Sequence, residues 1–425
     1  MALHSKKLRY KRGGTEYTVD LYTTTAEVGS EYFAVRDGVT TVYAKIAPTG
    51  TANESYLRVR KSGVTKSILS ALASLYKFSL DNDVLNAPSR AIYATLANSG
   101  TRAIGALTVS PYTYRLEWDG ANNRYSYVNS GVDIAPGVSP GRMGLSSDGN
   151  FLAIPMTASP YVVTYKWSST NNIYEKTAAP SPSIPAPSYG GQGANSCQLT
   201  PDGSVLVIGH YGAYASPANH LLVYKWSSVN NRYEGTANAD IQSPDSCYFA
   251  CANWPNYNKC AVPHQDNSGT NKFVYTYTWD SSNNRYKKDI DIDISPTTHG
   301  CAAYLTPDGS RLVVGTYSDF CSYIWSSTNS RYEKTAAPSP PCYAWSIAGH
   351  NNGEYLAIGC PTAPYSTKIY KWNSTNNRYE YLSDAVEGGN PPTHVINPFN
   401  NGANKLIIGY DSTSAPYIKT YTFNG

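Results

Sequence analysis

The sequence predicts an all-β protein, in which a small antiparallel β-hairpin domain precedes a seven-bladed β-propeller closed by an N-terminal strand. Three observations lead to this prediction. A segment of about 50 residues recurs along the chain, and its copies carry two kinds of turn motif. The 425 residues also include 33 Gly, 27 Pro and 38 Tyr, a composition that suits many tight turns and disfavours long helices.

The recurring segment contains an aromatic residue, a polar turn and a tyrosine. Residues 165–175 read YKWSSTNNIYE and residues 224–234 read YKWSSVNNRYE. The aromatic residue recurs at intervals of 46 to 59 residues, at Trp118, Trp167, Trp226, Trp279, Trp325, Trp372 and Phe423. Seven such units predict seven blades.

A second turn motif lies upstream of the first. Residues 200–209 read TPDGSVLVIG, and residues 306–315 read TPDGSRLVVG. A Pro-Asp-Gly sequence between apolar runs predicts a tight turn between two strands. Each unit therefore has four short antiparallel strands, here called a, b, c and d. Such a sheet cannot bury both of its faces alone, whereas sheets arranged in a ring bury them against one another.

The last unit stops at Gly425, within its c–d turn, so it lacks strand d. The segment 75–80 (LYKFSL), just ahead of the first unit, is strand-like and has no other place. We expect it to complete blade 7 and cover an open sheet edge. The predicted domains are thus a hairpin module in residues 1–70 and a propeller in residues 71–425.

The (S/T)-P-D-G-x-x-L-x-x-G motif and the aromatic residue at the end of strand c resemble the WD40/YVTN-like β-propeller superfamily. The resemblance covers roughly residues 72–425. It implies the architecture and says little about function, because propellers include enzymes, scaffolds and lectins.

The first 70 residues form a basic module. They hold 11 Lys and Arg against 6 Asp and Glu, while the whole chain has a net charge of +4. Hairpins are predicted around Gly14, Gly38 and Gly63. The module resembles small β domains of tailed-phage virion proteins, which implies binding to virion or filament components. Its basic residues could instead be a solvated strand face. Nucleic acid is an unexpected partner, because no aromatic platform alternates with the basic patch.

Composition and motifs exclude several classes of function. No apolar run is long enough for a transmembrane helix, so no membrane insertion is expected. The N-terminus lacks an apolar signal region, so synthesis without a secretory signal is expected. The eight Cys form no CxxC pair and no cluster with zinc spacing, which favours free buried thiols over disulfides. No cofactor, metal site or catalytic residue is assigned.

The candidate binding surface is the propeller face that carries the b–c and d–a loops. These loops are long and irregular, whereas the a–b and c–d turns repeat closely, and variable loops commonly carry recognition. The alternative is that these loops are exposed to solvent, bind no partner and vary in sequence for that reason. The candidate ligand-binding residues are Tyr189, His210, Tyr211, Tyr214, His264, Tyr317, Phe320, Tyr365 and Tyr410.

Three further sets of residues have structural interpretations. The repeated Trp and Arg are expected to stack on each other across the c–d hairpin. Asp289, Asp291 and Asp293 alternate with Ile and are expected on a solvated strand face, with a Ca²⁺ site as the alternative. His299 and His394 precede strand a and could reach the channel mouth, without a paired carboxylate or Cys.

These observations predict a non-enzymatic display protein on a virion assembled in the host cytoplasm, and a homo-oligomer. Its Tyr-rich face would bind a host glycan or surface protein, or it would decorate the particle. One alternative is a cytoplasmic interaction scaffold. The other is a glycan-active propeller enzyme, which would need carboxylates that converge at the channel mouth.

Overall fold

The structure is a computed structural model, and its described residues form 33 strands. In residues 3–94 the structure describes the strands but not their side chains. No helix among the described residues is long and apolar enough to span a membrane. Residues outside the description are 1–2, 13–14, 23–31, 38–39, 46–57, 62–63, 68–77, 81–90, 98–99, 108–109, 123, 130, 134–135, 139, 185–193, 211–220, 237–258, 265–272, 294, 297, 307, 351–352, 361–365, 385–393, 396–404, 410–417 and 424–425.

The chain divides into two compact units, Met1–Ser79 with Asn424–Gly425, and Leu80–Phe423. The first unit contains a four-stranded sheet of order β1-β2-β4-β3 and a two-stranded ribbon, β5-β6. All the pairs for which a register is known are antiparallel, and three hairpins close at Arg12↔Thr15, Asp37↔Thr40 and Lys61↔Val64. The strands are β1 (Leu3–Arg12), β2 (Thr15–Tyr22), β3 (Tyr32–Asp37), β4 (Thr40–Lys45), β5 (Arg58–Lys61), β6 (Val64–Ser67) and β7 (Phe78–Leu80), of which β7 crosses into the second unit.

The second unit is a propeller built from small antiparallel sheets. The strands of its first half are β8 (Ala91–Leu96), β9 (Arg102–Leu107), β10 (Thr113–Asp119), β11 (Arg124–Asn129), β12 (Gly144–Leu145), β13 (Phe151–Pro155), β14 (Val162–Ser168), β15 (Ile173–Lys176), β16 (Ala194–Leu199), β17 (Val205–His210), β18 (Leu221–Ser227) and β19 (Arg232–Gly235). Those of its second half are β20 (Lys259–Pro263), β21 (Val274–Asp280), β22 (Arg285–Lys288), β23 (Gly300–Leu305), β24 (Arg311–Thr316), β25 (Phe320–Ser326), β26 (Arg331–Lys334), β27 (Ser346–Gly349), β28 (Tyr355–Cys360), β29 (Ser366–Asn373), β30 (Arg378–Asp384), β31 (His394–Val395), β32 (Lys405–Gly409) and β33 (Ile418–Phe423).

Six propeller sheets among the described residues have four strands, in the order a-b-c-d that the repeat predicts. The fourth repeat unit contributes a three-stranded sheet, β20-β21-β22. Complete blades therefore number six where seven were predicted, because residues 237–258, which precede β20, lie outside the description. In the final sheet the order is β31-β32-β33-β7, so β7, within the predicted closing segment 75–80, takes the place of strand d.

The sheets close into a ring through their innermost strands. Strand β8 of the first sheet contacts β12 of the next sheet and both β31 and β32 of the last. The core is divided into clusters that each join neighbouring sheets. One of them packs Leu96 and Leu116 of the first sheet against Ile407 and Ile418 of the last. The predicted all-β propeller is thus confirmed.

Six of the seven propeller sheets repeat one arrangement of aromatic residues. The strand-c tryptophan meets a strand-d tyrosine edge-on, with ring centroids 4.8–5.2 Å apart. In five sheets the tyrosine hydroxyl also donates to the carbonyl oxygen of the a–b turn glycine, at 2.5–2.7 Å. These glycines have φ of 66–73°, a left-handed conformation that glycine adopts without strain. The repeated Trp, Tyr and Gly are therefore one unit that joins all four strands.

A second repeated contact, between a cation and a tryptophan ring, joins neighbouring sheets. A cation that lies over a strand-c tryptophan comes from the preceding sheet, and usually from the first residue of its strand b. The pairs, with the distance from the cation to the ring centroid, are Arg102–Trp167 (3.3 Å), Lys225–Trp279 (4.7 Å), Lys259–Trp325 (3.3 Å), Arg311–Trp372 (4.6 Å) and Lys405–Trp118 (3.3 Å). Lys225 is the exception among these five cations, because it lies on strand c. It is paired there with Val205, the first residue of strand b in the same sheet.

The prediction that the strand-d arginines stack on the tryptophans of their own hairpins is wrong. Arg232, Arg331 and Arg378 instead lie 3.1–4.0 Å from the glutamate two residues further along the same strand. These guanidinium groups lie next to the glutamate carboxylates of their own strands. Side chains of the adjacent sheet cover the faces of the tryptophans.

The linkers between sheets add bonds to the outer strands. Val132 bridges Tyr174 in parallel, and the Asp133 carboxylate accepts a bond from the Lys176 backbone N–H at 2.9 Å. Asp293 does the same for the Lys334 N–H, at 2.8 Å. These two linkers thus pair with the outer strand of the following sheet and cover backbone groups that would otherwise be open to pairing.

The alternating aspartates near β22 do not share a site. Asp289 accepts a bond from the Thr278 hydroxyl at 2.6 Å and lies 3.5 Å from the ammonium of Lys259. Asp291 pairs with Lys288, and Asp293 bonds to a neighbouring backbone as described above. The three carboxylates have separate structural partners, and this arrangement explains them without a Ca²⁺ ion.

We expect Tyr233→Phe to lower the free energy of unfolding by about 1 kcal/mol, because it removes a buried bond and leaves the Gly203 carbonyl unpaired. Urea unfolding monitored by circular dichroism measures this change. The matched control is Tyr381→Phe, whose ring is 39% exposed. Equal stability of the two variants would contradict the structural role of the hydroxyl.

The buried tyrosines predict a loss of stability in alkali. Burial raises the pKa of Tyr224 and Tyr379 to about 12, from an ordinary value of 10. The unfolded chain releases these protons at a lower pH than the folded protein does. The contribution of the two tyrosines to the free energy of unfolding is therefore full below a pH of about 10 and is lost as the pH rises through about 12. The unfolding midpoint against pH, together with tyrosinate absorbance, tests this. Ionisation of all tyrosines at the ordinary pKa without unfolding would refute it.

Candidate functional site at the propeller axis

Four aromatic side chains meet beside the innermost strands of two adjacent sheets. His299 directly precedes β23, and Tyr317 directly follows β24 of the same sheet. Tyr343 and Trp345 lie in the linker that leads into β27 of the next sheet. All four belong to b–c loops or d–a linkers, which share one face of the propeller. We call these four residues the axial cluster.

Three of the four ring pairs in the axial cluster meet edge-on, and the rings of Tyr317 and Trp345 are tilted by 33°. The Tyr317 centroid lies 5.8 Å from that of His299, 5.7 Å from that of Tyr343 and 5.9 Å from that of Trp345. Tyr343 and Trp345 are 5.9 Å apart. Such separations are typical of attractive aromatic pairs. Tyr317 is 37% exposed, and the other three rings are half-buried, so the cluster presents aromatic surface to solvent.

One backbone bond between the two sheets and one within the second sheet hold the linker of Tyr343 and Trp345 in place. The Ala344 N–H donates to the Thr316 carbonyl at 3.2 Å, and the Trp345 N–H donates to the Gly359 carbonyl at 3.1 Å. This approach requires glycine at position 315, where a Cβ atom would lie 2.5 Å from the Ala344 oxygen. The linker can therefore cross close to the end of β24.

Arg142 reaches the cluster from a distant sheet. It lies in the linker just ahead of β12, and its Nη2 atom donates to the Trp345 carbonyl at 3.0 Å. The sheet β12–β15 and the sheet β27–β30 are not neighbours in the ring. A bond between them must cross the region around the axis, so the guanidinium lies at the inner edge of the axial cluster.

A buried thiol lies beneath these groups. Burial raises the pKa of Cys301 to about 12, while the positive charge of Arg142 and a hydrogen bond with Tyr317 act in the opposite direction. Burial, together with Cys301 and Tyr317, also raises the pKa of the Tyr343 hydroxyl. The Cys301 thiol and the Tyr343 phenol are therefore neutral at physiological pH, and an arginine guanidinium is always charged.

Only some of the sequence-predicted residues fall in the described part of the chain. Tyr317 belongs to the axial cluster. His264 is buried, packs 4.8 Å from the Tyr275 ring, and its backbone carbonyl accepts a bond from Gly300. His210 ends β17 on the predicted face, and nothing is described of its side chain. The predicted residues outside the description are Tyr189, Tyr211, Tyr214, Tyr365 and Tyr410.

Phe320 is not a surface residue, contrary to the sequence interpretation. Its side chain is fully buried in the core between two sheets, 4.9 Å from the ring of Tyr370. It begins β25, where the side chain turns into the sheet packing, although it lies only three residues from exposed Tyr317.

Arg142, Tyr343 and Trp345 were missed as site residues. One sequence signal points to Trp345: six of the eight tryptophans occupy the repeated strand-c position, whereas Trp254 and Trp345 do not. Nothing in the local sequence of Arg142 indicates that it crosses the axis, since that contact depends on ring closure.

The described residues offer no metal centre, because no three His, Cys, Asp or Glu side chains among them are grouped to hold an ion. Six cysteines in this part of the chain carry free thiols, five of them buried, as the sequence favours: Cys197, Cys260, Cys301, Cys321, Cys342 and Cys360. The axial cluster offers aromatic surface, hydroxyl groups and ring N–H groups, and Arg142 adds a positive charge beside it.

The structure is similar to several solved structures at low sequence identity. Kuenenia stuttgartiensis hydrazine synthase aligns with a TM-score of 0.55 and 12% identity, over 80% of this chain and 97% of that one. A functionally unknown protein from Desulfotomaculum acetoxidans aligns with a TM-score of 0.53 and 11% identity, over 70% and 86% of the two chains. A protein from Lactobacillus plantarum gives 0.52 and 11%, over 90% and 97%.

No protein-family model and no curated protein matches the sequence. The structural likenesses, all at 11–12% identity, therefore support the propeller fold and carry no activity over to this chain.

Proposed function

We propose that this chain is a non-enzymatic display protein whose propeller binds a glycan at the axial cluster. The exposed and half-buried rings of Tyr317, Tyr343 and Trp345 are the observation that supports this. Sugar rings carry apolar C–H faces that pack on aromatic surfaces, while their hydroxyls bond to phenol and indole groups. Tyr and Trp also provide large contact areas at a small cost in conformational entropy.

The axial cluster differs from the repeated aromatic residues of the blades, and this difference favours a ligand at the cluster. The strand-c tryptophans and strand-d tyrosines recur in six of the seven propeller sheets and are accounted for by the packing of sheets. The axial cluster occurs on irregular loops, has no counterpart in the repeat motif, and leaves Tyr317 exposed on the face that carries the variable loops. Aromatic surface that packing does not require is typical of recognition sites.

In this proposal residues 1–70 attach the chain to a particle such as a phage virion, and a homo-oligomer carries several propellers. Support comes from the basic charge of the segment and from its small sheets, whose few strands provide a thin core that gains from docking. The particle would form in the host cytoplasm. An interaction scaffold that is not part of a particle would have the same propeller but would bind protein.

A double variant tests glycan binding. We expect Tyr317→Ala with Trp345→Ala to weaken the strongest signal on a glycan array about tenfold or more, because it removes both packing faces. The matched control is Tyr381→Ala, an exposed ring on β30. Circular dichroism melting establishes that each variant is folded.

An unchanged array signal in the folded double variant would place the glycan elsewhere on the protein. No signal from the native chain on any array, with capture of host surface protein instead, would overturn the glycan proposal and favour a protein ligand.

A further inference from the structure

A groove opens between the second propeller sheet, β12–β15, and the third, β16–β19. It lies between the outer hairpin β14–β15 and the c–d turn of the third sheet, and it encloses about 270 Å³. This volume is slightly below the usual range for drug-sized ligands, so the groove suits a smaller molecule. We call it the inter-sheet groove, and its lining residues are Lys166, Trp167, Ser168, Glu175, Lys176, Thr177 and Asn231. It lies on the face of the c–d turns, opposite to the axial cluster.

The groove is open at this position because of where the strand-c lysine lies. At the equivalent position of the third sheet, Lys225 crosses to the next sheet and its ammonium donates to Asn284 Oδ1 at 2.5 Å. Lys166 instead lies over the ring of Phe151 in its own sheet, 5.9 Å from the ring centroid. Phe151 begins strand b, where the third sheet has Val205. The space that Lys225 spans in the third sheet therefore stays open beside Lys166.

The glutamate of the inter-sheet groove lacks the arginine that accompanies its counterparts. In three other sheets an arginine lies 3.1–4.0 Å from the equivalent glutamate, whereas the same position of β15 is Ile173. Glu175 is bonded by neutral groups, since its Oε1 atom accepts from the Asn171 amide at 2.5 Å and Ser168 donates a further bond. These bonds hold the pKa of Glu175 below its ordinary value, so the carboxylate is ionised at physiological pH.

Two ammonium groups line the same groove. Lys166 contacts the Phe151 ring, and Lys176 is held through its backbone N–H, which donates to the Asp133 carboxylate at 2.9 Å. Within the described part of the chain, neither ammonium forms an ion pair with a carboxylate, and Glu175 forms none with a cation. The groove therefore contains charges of both signs that the described side chains do not neutralise.

We propose that the inter-sheet groove binds a small zwitterion of the α-amino acid class, with its carboxylate at Lys166 and Lys176 and its ammonium at Glu175. This site goes beyond the proposed glycan binding and does not depend on it. Charge-assisted hydrogen bonds are stronger than those between neutral groups. A ligand with a single charge would gain one partner but would also lie beside a like charge, which is unfavourable. Because the groove is open to water, we expect modest affinity that falls as salt is added.

The test uses free amino acids as probes of the full chain. Each of the common L-amino acids is titrated in low-salt buffer at neutral pH, and binding is followed by saturation-transfer NMR. The strongest probe is then compared with its N-acetyl derivative and with its α-amide, each of which lacks one of the two charges. We expect each modification to weaken binding about threefold or more, and added salt to weaken binding of the free amino acid.

Variants then locate the probe on the protein. Ile173→Arg places beside Glu175 the arginine that other sheets have, and we expect it to remove the preference for the free amine over the N-acetyl form. We expect the same of Glu175→Gln. The matched control is Glu333→Gln, because this glutamate has the equivalent position and already lies beside Arg331. Circular dichroism melting establishes that each variant is folded.

The outcomes distinguish this site from the glycan site. We expect the Tyr317→Ala, Trp345→Ala double variant to bind the amino acid as the native chain does, whatever its effect on glycans. Equal binding of the free and N-acetylated probes would overturn the zwitterion and indicate a site for simple anions. No binding of any amino acid, or a preference that persists in Ile173→Arg, would overturn the assignment to this groove. The probe comparison uses the native chain, so it remains decisive even if a variant does not fold.

Discussion

Each sheet of this protein depends on its neighbours, because four short strands cannot bury two faces on their own. The contacts that meet this need are repeated around the ring. A strand-c tryptophan receives the edge of a strand-d tyrosine from its own sheet and, in most sheets, a cation from the preceding one. The pair Lys405–Trp118 joins the last sheet to the first, so the same contact that connects neighbours also closes the circle. Removing a sheet would expose apolar faces on both sides, which makes the ring cooperative.

Ring closure also creates the candidate site. The innermost strands begin on one face, and the linkers that precede them converge there from different sheets. Trp345 and Arg142 are 203 positions apart in the chain, yet they share a hydrogen bond. The aromatics of the axial cluster differ from those of the blades in what they contact. Blade tyrosines donate buried bonds to turn glycines, whereas Tyr317 meets three rings and solvent. The first set holds the sheets together, and the second provides a surface that can accept a ligand.

The features that could be predicted from the sequence are local ones. Pro-Asp-Gly turns appear as predicted, because glycine at positive φ and aspartate bonding to the backbone act within a few residues, as at Asp202 and Gly203. The strand order within each unit follows from the same turns. Predictions about side-chain partners were less successful. Arg232 pairs with Glu234 and does not cover Trp226, and Phe320 lies in the core, because the faces that meet depend on how adjacent sheets pack.

By itself, the sequence determined that the chain is all-β, that a unit of about 50 residues recurs, and that the irregular loops share one face. These properties are encoded in periodic residues whose effects span a single hairpin. Only the tertiary structure decided which loops come together at the axis, that Arg142 crosses to Trp345, and that cations from one sheet cover tryptophans of the next. Such contacts join residues far apart in the chain. Their geometry is set by the angle and spacing of whole sheets around the ring, and no short motif records that geometry.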